Sequence, residues 1–165
     1  MEYLDLYDEN RIFTGEKVLR SKDMKPEEGK YINIVIVFIE NSKGEFLIQK
    51  TSKEKGSVFA TTGGLVKSGS SPDRTIVEEI KEELGLDVDI NELKLIKTYK
   101  RRHAFQDTYY LKKDIDINDL VLQESEVEYV SWLSKEEIKK LIENNQFREG
   151  IIMPFEYLIG EDFYE

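Results

Sequence analysis

The stretch Gly63-Gly-Leu-Val-Lys-Ser-Gly-Ser-Ser-Pro-Asp-Arg-Thr-Ile-Val-Glu-Glu-Ile-Lys-Glu-Glu-Leu-Gly-Leu86 decides how the rest of the chain is read. Its second half predicts a helix over residues 72–84. Ser71 offers a capping oxygen, Pro72 a preset φ in the first turn, and Asp73 a negative charge at the positive end of the helix. Gly85 suits the left-handed residue that closes a helix. At 100° per residue, Ile76, Val77, Ile80 and Leu84 share one arc, the stripe to be buried. Glu79, Glu82 and Glu83 share a second arc facing away. Like charges at these spacings cost ~0.2–0.5 kcal/mol per pair. A hard cation offsets that repulsion, because Mg2+ and Mn2+ prefer carboxylate oxygens. A Glu-rich face is ordinarily just solvated, so the helix alone does not specify a metal site. Ahead of it, however, lie Gly63, Gly64 and Gly69, which let the backbone come close to a ligand. A strand, a glycine loop and a carboxylate-faced helix together suit a metal-bound diphosphate.

Outward from this segment the chain alternates strands and helices. Residues 31–40 (YINIVIVFIE) are almost continuously apolar and β-branched, as expected of a central strand buried on both faces. A turn at 41–44 returns the chain as a partner strand over 45–50. Further strands are predicted over 93–100, 105–112 and 127–133. A second helix over 135–144 is capped by Ser134, with Glu137 completing a capping box, and a short helix is expected around 154–159. Residues 1–29 read as an N-terminal extension, a hairpin followed by a charged link. The expected architecture is an α/β/α sandwich around a mixed sheet, with residues 1–165 as a single domain.

Composition narrows the function. The chain has 165 residues, 24 basic and 34 acidic side chains and a net charge of −10. Such a surface repels a nucleic acid polymer, yet an acidic protein can handle phosphates when metal ions supply the positive charge. The absence of cysteine excludes thiol nucleophiles and Cys-based zinc sites, and the single histidine excludes a His-based one. No apolar run is long enough to span a bilayer, and the acidic N-terminus lacks a basic signal start. The expectation is a cytoplasmic protein with no membrane partner.

The segment also resembles a known signature. Gly64, Glu79, Ile80, Glu82, Glu83, Gly85 and Leu86 match the Nudix hydrolase box, G-x5-E-x7-R-E-U-x-E-E-x-G-U with U bulky aliphatic, at seven of its nine specified positions. Ser70 and Glu78 stand where the box has the Glu and Arg that usually tie its loop to its helix; Glu78 has Arg74 one turn earlier as an alternative partner. Softer similarity along nearly the whole chain resembles the Nudix branch related to isopentenyl diphosphate isomerase, whose catalytic Cys is missing here. The resemblance implies hydrolysis of a diphosphate linkage in a small nucleotide-like substrate by metal-activated water. Glu79, Glu82 and Glu83 would hold Mg2+ or Mn2+, with Glu82 and Glu83 also in the catalytic set. Family members often recruit a further carboxylate from a loop before a late strand, which points to Glu124 or Glu126 as general base. One alternative is a weak or inactive nucleotide-binding Nudix module, favoured by Ser70 and Glu78. The other is a diphosphate isomerase, opposed by the missing Cys.

Three other residues are candidates on their own chemistry. Residues 97–103 (KTYKRRH) form the only basic island, in which Arg101 or Arg102 offers a bidentate clamp for phosphate; a solvated strand end explains it as well. Phe59, just before the Thr-Gly-Gly loop, offers a ring to stack on a base, although core packing is the commoner fate. Expected partners are a small phosphorylated substrate and, through the N-terminal extension, a second copy of the chain.

Overall fold

The computed structural model describes residues 1–160. Its centre is β3 (Ile32–Glu40), whose side chains alternate between two cores. Val35, Val37 and Ile39 point to one face, where they meet Ile76, Ile80 and Leu84 of α1 (Pro72–Leu84). Ile36 and Phe38 point to the other, against Ile138 of α2 (Lys135–Glu143) and Phe155 of α3 (Ile152–Ile159). This period of two is why the strand reads as unbroken apolar sequence: both of its faces are covered. The result is helix, sheet and helices in three layers.

The sheet is mixed. β3 lies parallel to β8 (Ala104–Lys112), in register from Ile32↔Ala104 to Glu40↔Lys112. β7 (Lys94–Lys100) pairs antiparallel with β8 at the edge. On the other side the order continues through β4 (Phe46–Thr51) to β5 (Phe59–Ala60). β6 (Gly63–Leu65) runs antiparallel along β3, with Val35 opposite Gly64, and β9 (Val127–Leu133) pairs antiparallel with β4. α1 has its expected ends: Ser71 Oγ accepts from the Arg74 amide and Gly85 closes the helix at φ 68°. Ser134 and Glu137 form the expected capping box of α2, which stops at Glu143 with Asn144 as its cap. α3 begins two residues earlier than its sequence suggested, with Pro154 in the first turn, where its missing N–H is harmless.

Residues ahead of β3 form a separate two-stranded antiparallel hairpin, β1 (Tyr3–Tyr7) and β2 (Phe13–Leu19). Leu4 and Leu6 bury it against Ile32 and Ala104. The turn adds a polar anchor. Arg11, held at φ 62°, directs its guanidinium onto Asp107 of β8 through two hydrogen bonds of 2.9 and 2.6 Å. Asp107 is buried, and it also accepts from Thr98 Oγ1 at 2.6 Å. Buried charges persist when paired and hydrogen-bonded in this way. No described helix is long and apolar enough to cross a membrane.

Candidate active site

The site forms where β6 passes α1. Gly64 lies beside Glu79, and a Cβ on it would sit 2.6 Å from Glu79 Oε1. The glycine is therefore required by a side chain fifteen residues on, independently of backbone angle. Glu83, one turn further along the same helix, is 6% exposed. It departs from the solvent-facing arc of the helical wheel because β4 covers it: Gln49 Nε2 donates to Glu83 Oε1 at 3.1 Å. The Gln49 amide is itself fixed, since its Oε1 accepts from Thr62 Oγ1 at 3.1 Å. Glu82 stays exposed. The chain before β9 is sewn to the end of the same helix, with the Val121 amide donating to Leu84 O and the Gln123 amide to Glu83 O at 3.0 and 3.1 Å. That attachment brings Glu126 to the cluster.

Burial dominates the electrostatics. It raises Glu83 to about 9, opposed by the Gln49 hydrogen bond and reinforced by the neighbouring Glu79 and Glu126 carboxylates. Glu79 is also raised, first by burial, while its hydrogen bond with Glu83 and the charges of Arg20 and Lys67 act the other way. Burial and proximity therefore favour a proton on this pair, whose two carboxyls titrate together. Among the described residues no group of three His, Asp or Glu side chains forms a ready-made cation cage. The all-oxygen donor set of Glu79, Glu83 and the nearby Glu82 nonetheless suits a hard divalent cation in place of that proton.

Two cavities meet here. A polar one of about 220 Å³ is lined by Glu79, Glu82, Glu83, Glu126, Arg20 and Lys67, among others. A more apolar cleft of about 360 Å³ shares Gly63, Gly64, Glu83 and Glu126 with it and extends past Ile34, Gln106 and Ile151. Glu126 lies in both walls and is met by Lys55 Nζ at 3.4 Å.

The remaining candidates are spread more widely. Glu124 is exposed in the same turn as Glu126 and lines neither cavity. Arg101 donates to Gln106 Oε1 and to Gly150 O at 2.8 and 3.0 Å, so it braces the far wall of the cleft away from the carboxylates. Arg102 points outward to Glu28 at 3.4 Å. Phe59 packs edge-on against Tyr129 and carries Lys50 over its ring, outside the cleft lining. Sequence reasoning missed Gln49, Arg20 and Lys67. Gln49 was detectable in principle as an amide directly after the apolar run Phe46–Ile48 of β4; nothing local marks the other two.

Residues 30–154 match the family model of the NUDIX domain. The chain belongs to the Nudix hydrolase family. An uncharacterized Nudix hydrolase of Listeria monocytogenes is 32% identical over 152 residues, covering 89% of this chain and 88% of that protein. Another, from Clostridium acetobutylicum, is 27% identical over 167 residues, covering 92% and 81%. The crystal structure of DR0079 from Deinococcus radiodurans superposes with a TM-score of 0.79 at 22% identity, over 93% of this chain and 96% of that one, and so shares the fold. The reaction class is accordingly hydrolysis of a pyrophosphate-containing substrate, and Nudix enzymes generally use divalent cations. These relatives establish the family and do not reach the finer likeness to the isomerase branch.

Proposed function

We propose that this Nudix hydrolase cleaves the diphosphate linkage of a small nucleotide-like substrate, with Mg2+ or Mn2+ held by Glu79, Glu82 and Glu83. The observation that carries this reading is the Glu79–Glu83 carboxyl pair, with Glu83 buried and Glu79 half-buried against Gly64, at the junction of a polar cavity and an apolar cleft. A divalent cation at these carboxylates would neutralise phosphate charge and acidify a water molecule. The other contributions come from the chain itself. Gln49 keeps Glu83 in one orientation. Gly64 leaves room for Glu79 to lie against β6, and the backbone of both glycines lines the two cavities. Glu126, in both cavity walls, accepts the proton of the attacking water as its oxygen bonds to phosphorus and the bridging P–O bond breaks. Glu124 is the weaker candidate for that role, because it faces solvent away from both cavities. The cleft beyond takes the organic part of the substrate, with Arg101 holding Gln106 in place. Residues 1–165 act as one unit in this account, since the hairpin region contributes Arg20 to the cavity wall.

A binding module without turnover was the rival suggested by Ser70 and Glu78. The loop ahead of α1 is nevertheless held, because Asp5 accepts from Ser68 Oγ and from the Gly69 amide, which favours a working site. Assaying phosphate release from a panel of nucleoside diphosphates, nucleoside triphosphates and diphosphate-bridged nucleotides tests the proposal. Turnover of at least one compound with Mg2+ or Mn2+, abolished by EDTA, is expected; no turnover across the panel, or turnover indifferent to EDTA, contradicts it.

A further inference from the structure

The polar cavity is acidic on its floor, yet two cations reach it from elements that carry none of the metal-site carboxylates. Arg20 follows β2 directly, and Lys67 lies two residues past β6. One carboxylate bridges them. Glu2 Oε2 accepts from Arg20 Nη1 at 2.8 Å, and Glu2 Oε1 lies 3.1 Å from Lys67 Nζ. The backbone fixes the same arrangement, because the Arg20 amide donates to Glu2 O at 2.9 Å. Both cations act on the carboxylates across the cavity: each lowers the Glu79 pKa, and Glu82 and Glu79 add to the rise at Lys67, after the larger effect of Glu2.

The hairpin that carries Glu2 and leads into Arg20 is anchored at three points: the fully buried Leu4, the Asp5 bonds to Ser68 and Gly69, and the Arg11–Asp107 pair. A guanidinium and an ammonium held on two oxygens of one anion form the usual arrangement for a phosphate group. The acidic floor also makes such cations necessary, since any polyphosphate entering the cavity meets the carboxylates of Glu79, Glu82, Glu83 and Glu126.

We propose that Arg20 and Lys67 form a phosphate-binding subsite for the part of the diphosphate distal to the attacked phosphorus, and that Glu2 occupies it in the free protein as an internal substitute for that phosphate. The inference rests on the diphosphate-hydrolase reading above and joins Arg20 and Glu2, outside the matched residues 30–154, to Lys67 within them. Entry of substrate exchanges the Glu2 carboxylate for a phosphate. Arg20 and Lys67 therefore favour binding, and Glu2 opposes it.

This opposition of signs gives the test. Binding of methylenediphosphonate, a non-hydrolysable diphosphate, is measured calorimetrically with and without Mg2+ for the wild type, Arg20→Ala, Lys67→Ala and Glu2→Gln. The three side chains are 40–47% exposed, so the folded state should survive each change, as a thermal melt would verify. Arg20→Ala and Lys67→Ala are each expected to weaken binding about three- to tenfold, as for charge-assisted contacts open to solvent. Glu2→Gln is expected to tighten it by about two- to threefold, and added salt should compress all these differences. Wild-type binding that none of the variants alters, or a Glu2→Gln variant that weakens binding, overturns the subsite while leaving the hydrolase reading intact. A wild type that binds no methylenediphosphonate under either condition also overturns the subsite, whereas the hydrolase reading fails only if no compound of the panel is turned over.

Discussion

Asp5 of β1 accepts a hydrogen bond from Ser68 Oγ at 2.6 Å, and its second oxygen accepts from the Gly69 amide at 3.1 Å. With the Ser68 amide donating to Tyr3 O at 2.8 Å, the N-terminal hairpin clasps the loop that feeds α1. The family box ties this loop through a Glu and an Arg at positions that are Ser70 and Glu78 here. Ser70 instead sits 3.4 Å from Thr75 Oγ1, and Glu78 pairs with Arg74 at 2.8 Å. The clasp thus supplies from outside the box the restraint that the box usually supplies from within.

Breaking the clasp should therefore act on the site as well as on stability. Asp5→Ala is expected to lower Tm and to reduce kcat more than it raises KM, because it loosens the approach to α1 without touching the cleft. Asp5 and Ser68 should couple by about 0.5–3 kcal/mol in a double-mutant cycle of unfolding free energies, the range for residues in contact. Strict additivity would show that the two side chains do not meet in solution.

The paired glycines should respond differently to the same substitution. A Cβ at Gly64 meets the end of a side chain, Glu79, whereas one at Gly63 meets the Val35 carbonyl within the sheet. Gly64→Ala is expected to leave Tm within a few degrees of wild type and to abolish most activity by displacing Glu79. Gly63→Ala is expected to cost about 1–3 kcal/mol of stability, as overpacking commonly does. Thermal melts and steady-state rates of the two variants separate these outcomes; equal losses of stability would contradict the assignment.

In metal-free protein the raised Glu83 carboxyl makes stability depend on pH. The folded group titrates near 9 and the unfolded one near 4.5. Its stabilising contribution is complete below the unfolded value and is lost progressively as pH rises through the folded one. Denaturant unfolding in EDTA should show stability falling between about pH 5 and 9, and Glu83→Gln should flatten that slope and exceed the wild type at pH 8. Saturating Mg2+ should reverse the order, because only the wild type retains the full donor set. A slope unchanged by Glu83→Gln would place the titration elsewhere.

Much of the scaffold was legible because its causes are local. The cap and closing glycine of α1, the Ser134–Glu137 box and the doubly apolar β3 each follow from a few neighbouring residues. The helical wheel placed Glu79, Glu82 and Glu83 on one side, but a wheel carries no information about what lies opposite. Gln49, thirty-four residues earlier, turns Glu83 into a buried group. The clasp by Asp5 and the bridge from Glu2 to Lys67 join positions more than sixty residues apart, and nothing in either segment announces its partner. The basic island divides for the same reason. Arg101 and Arg102 are adjacent in sequence, but one braces Gln106 and the other faces Glu28.

The most direct test of the account is the steady-state rate of Glu83→Gln beside wild type, with Mg2+ and the best substrate from the panel. Gln49 can still hold a glutamine side chain, so the substitution removes charge with little change of shape. A fall in kcat of about a hundredfold or more is predicted, as for loss of one key electrostatic element, with KM changed by no more than a few-fold. A rate close to that of the wild type would contradict the central claim that this buried carboxylate belongs to the catalytic metal site.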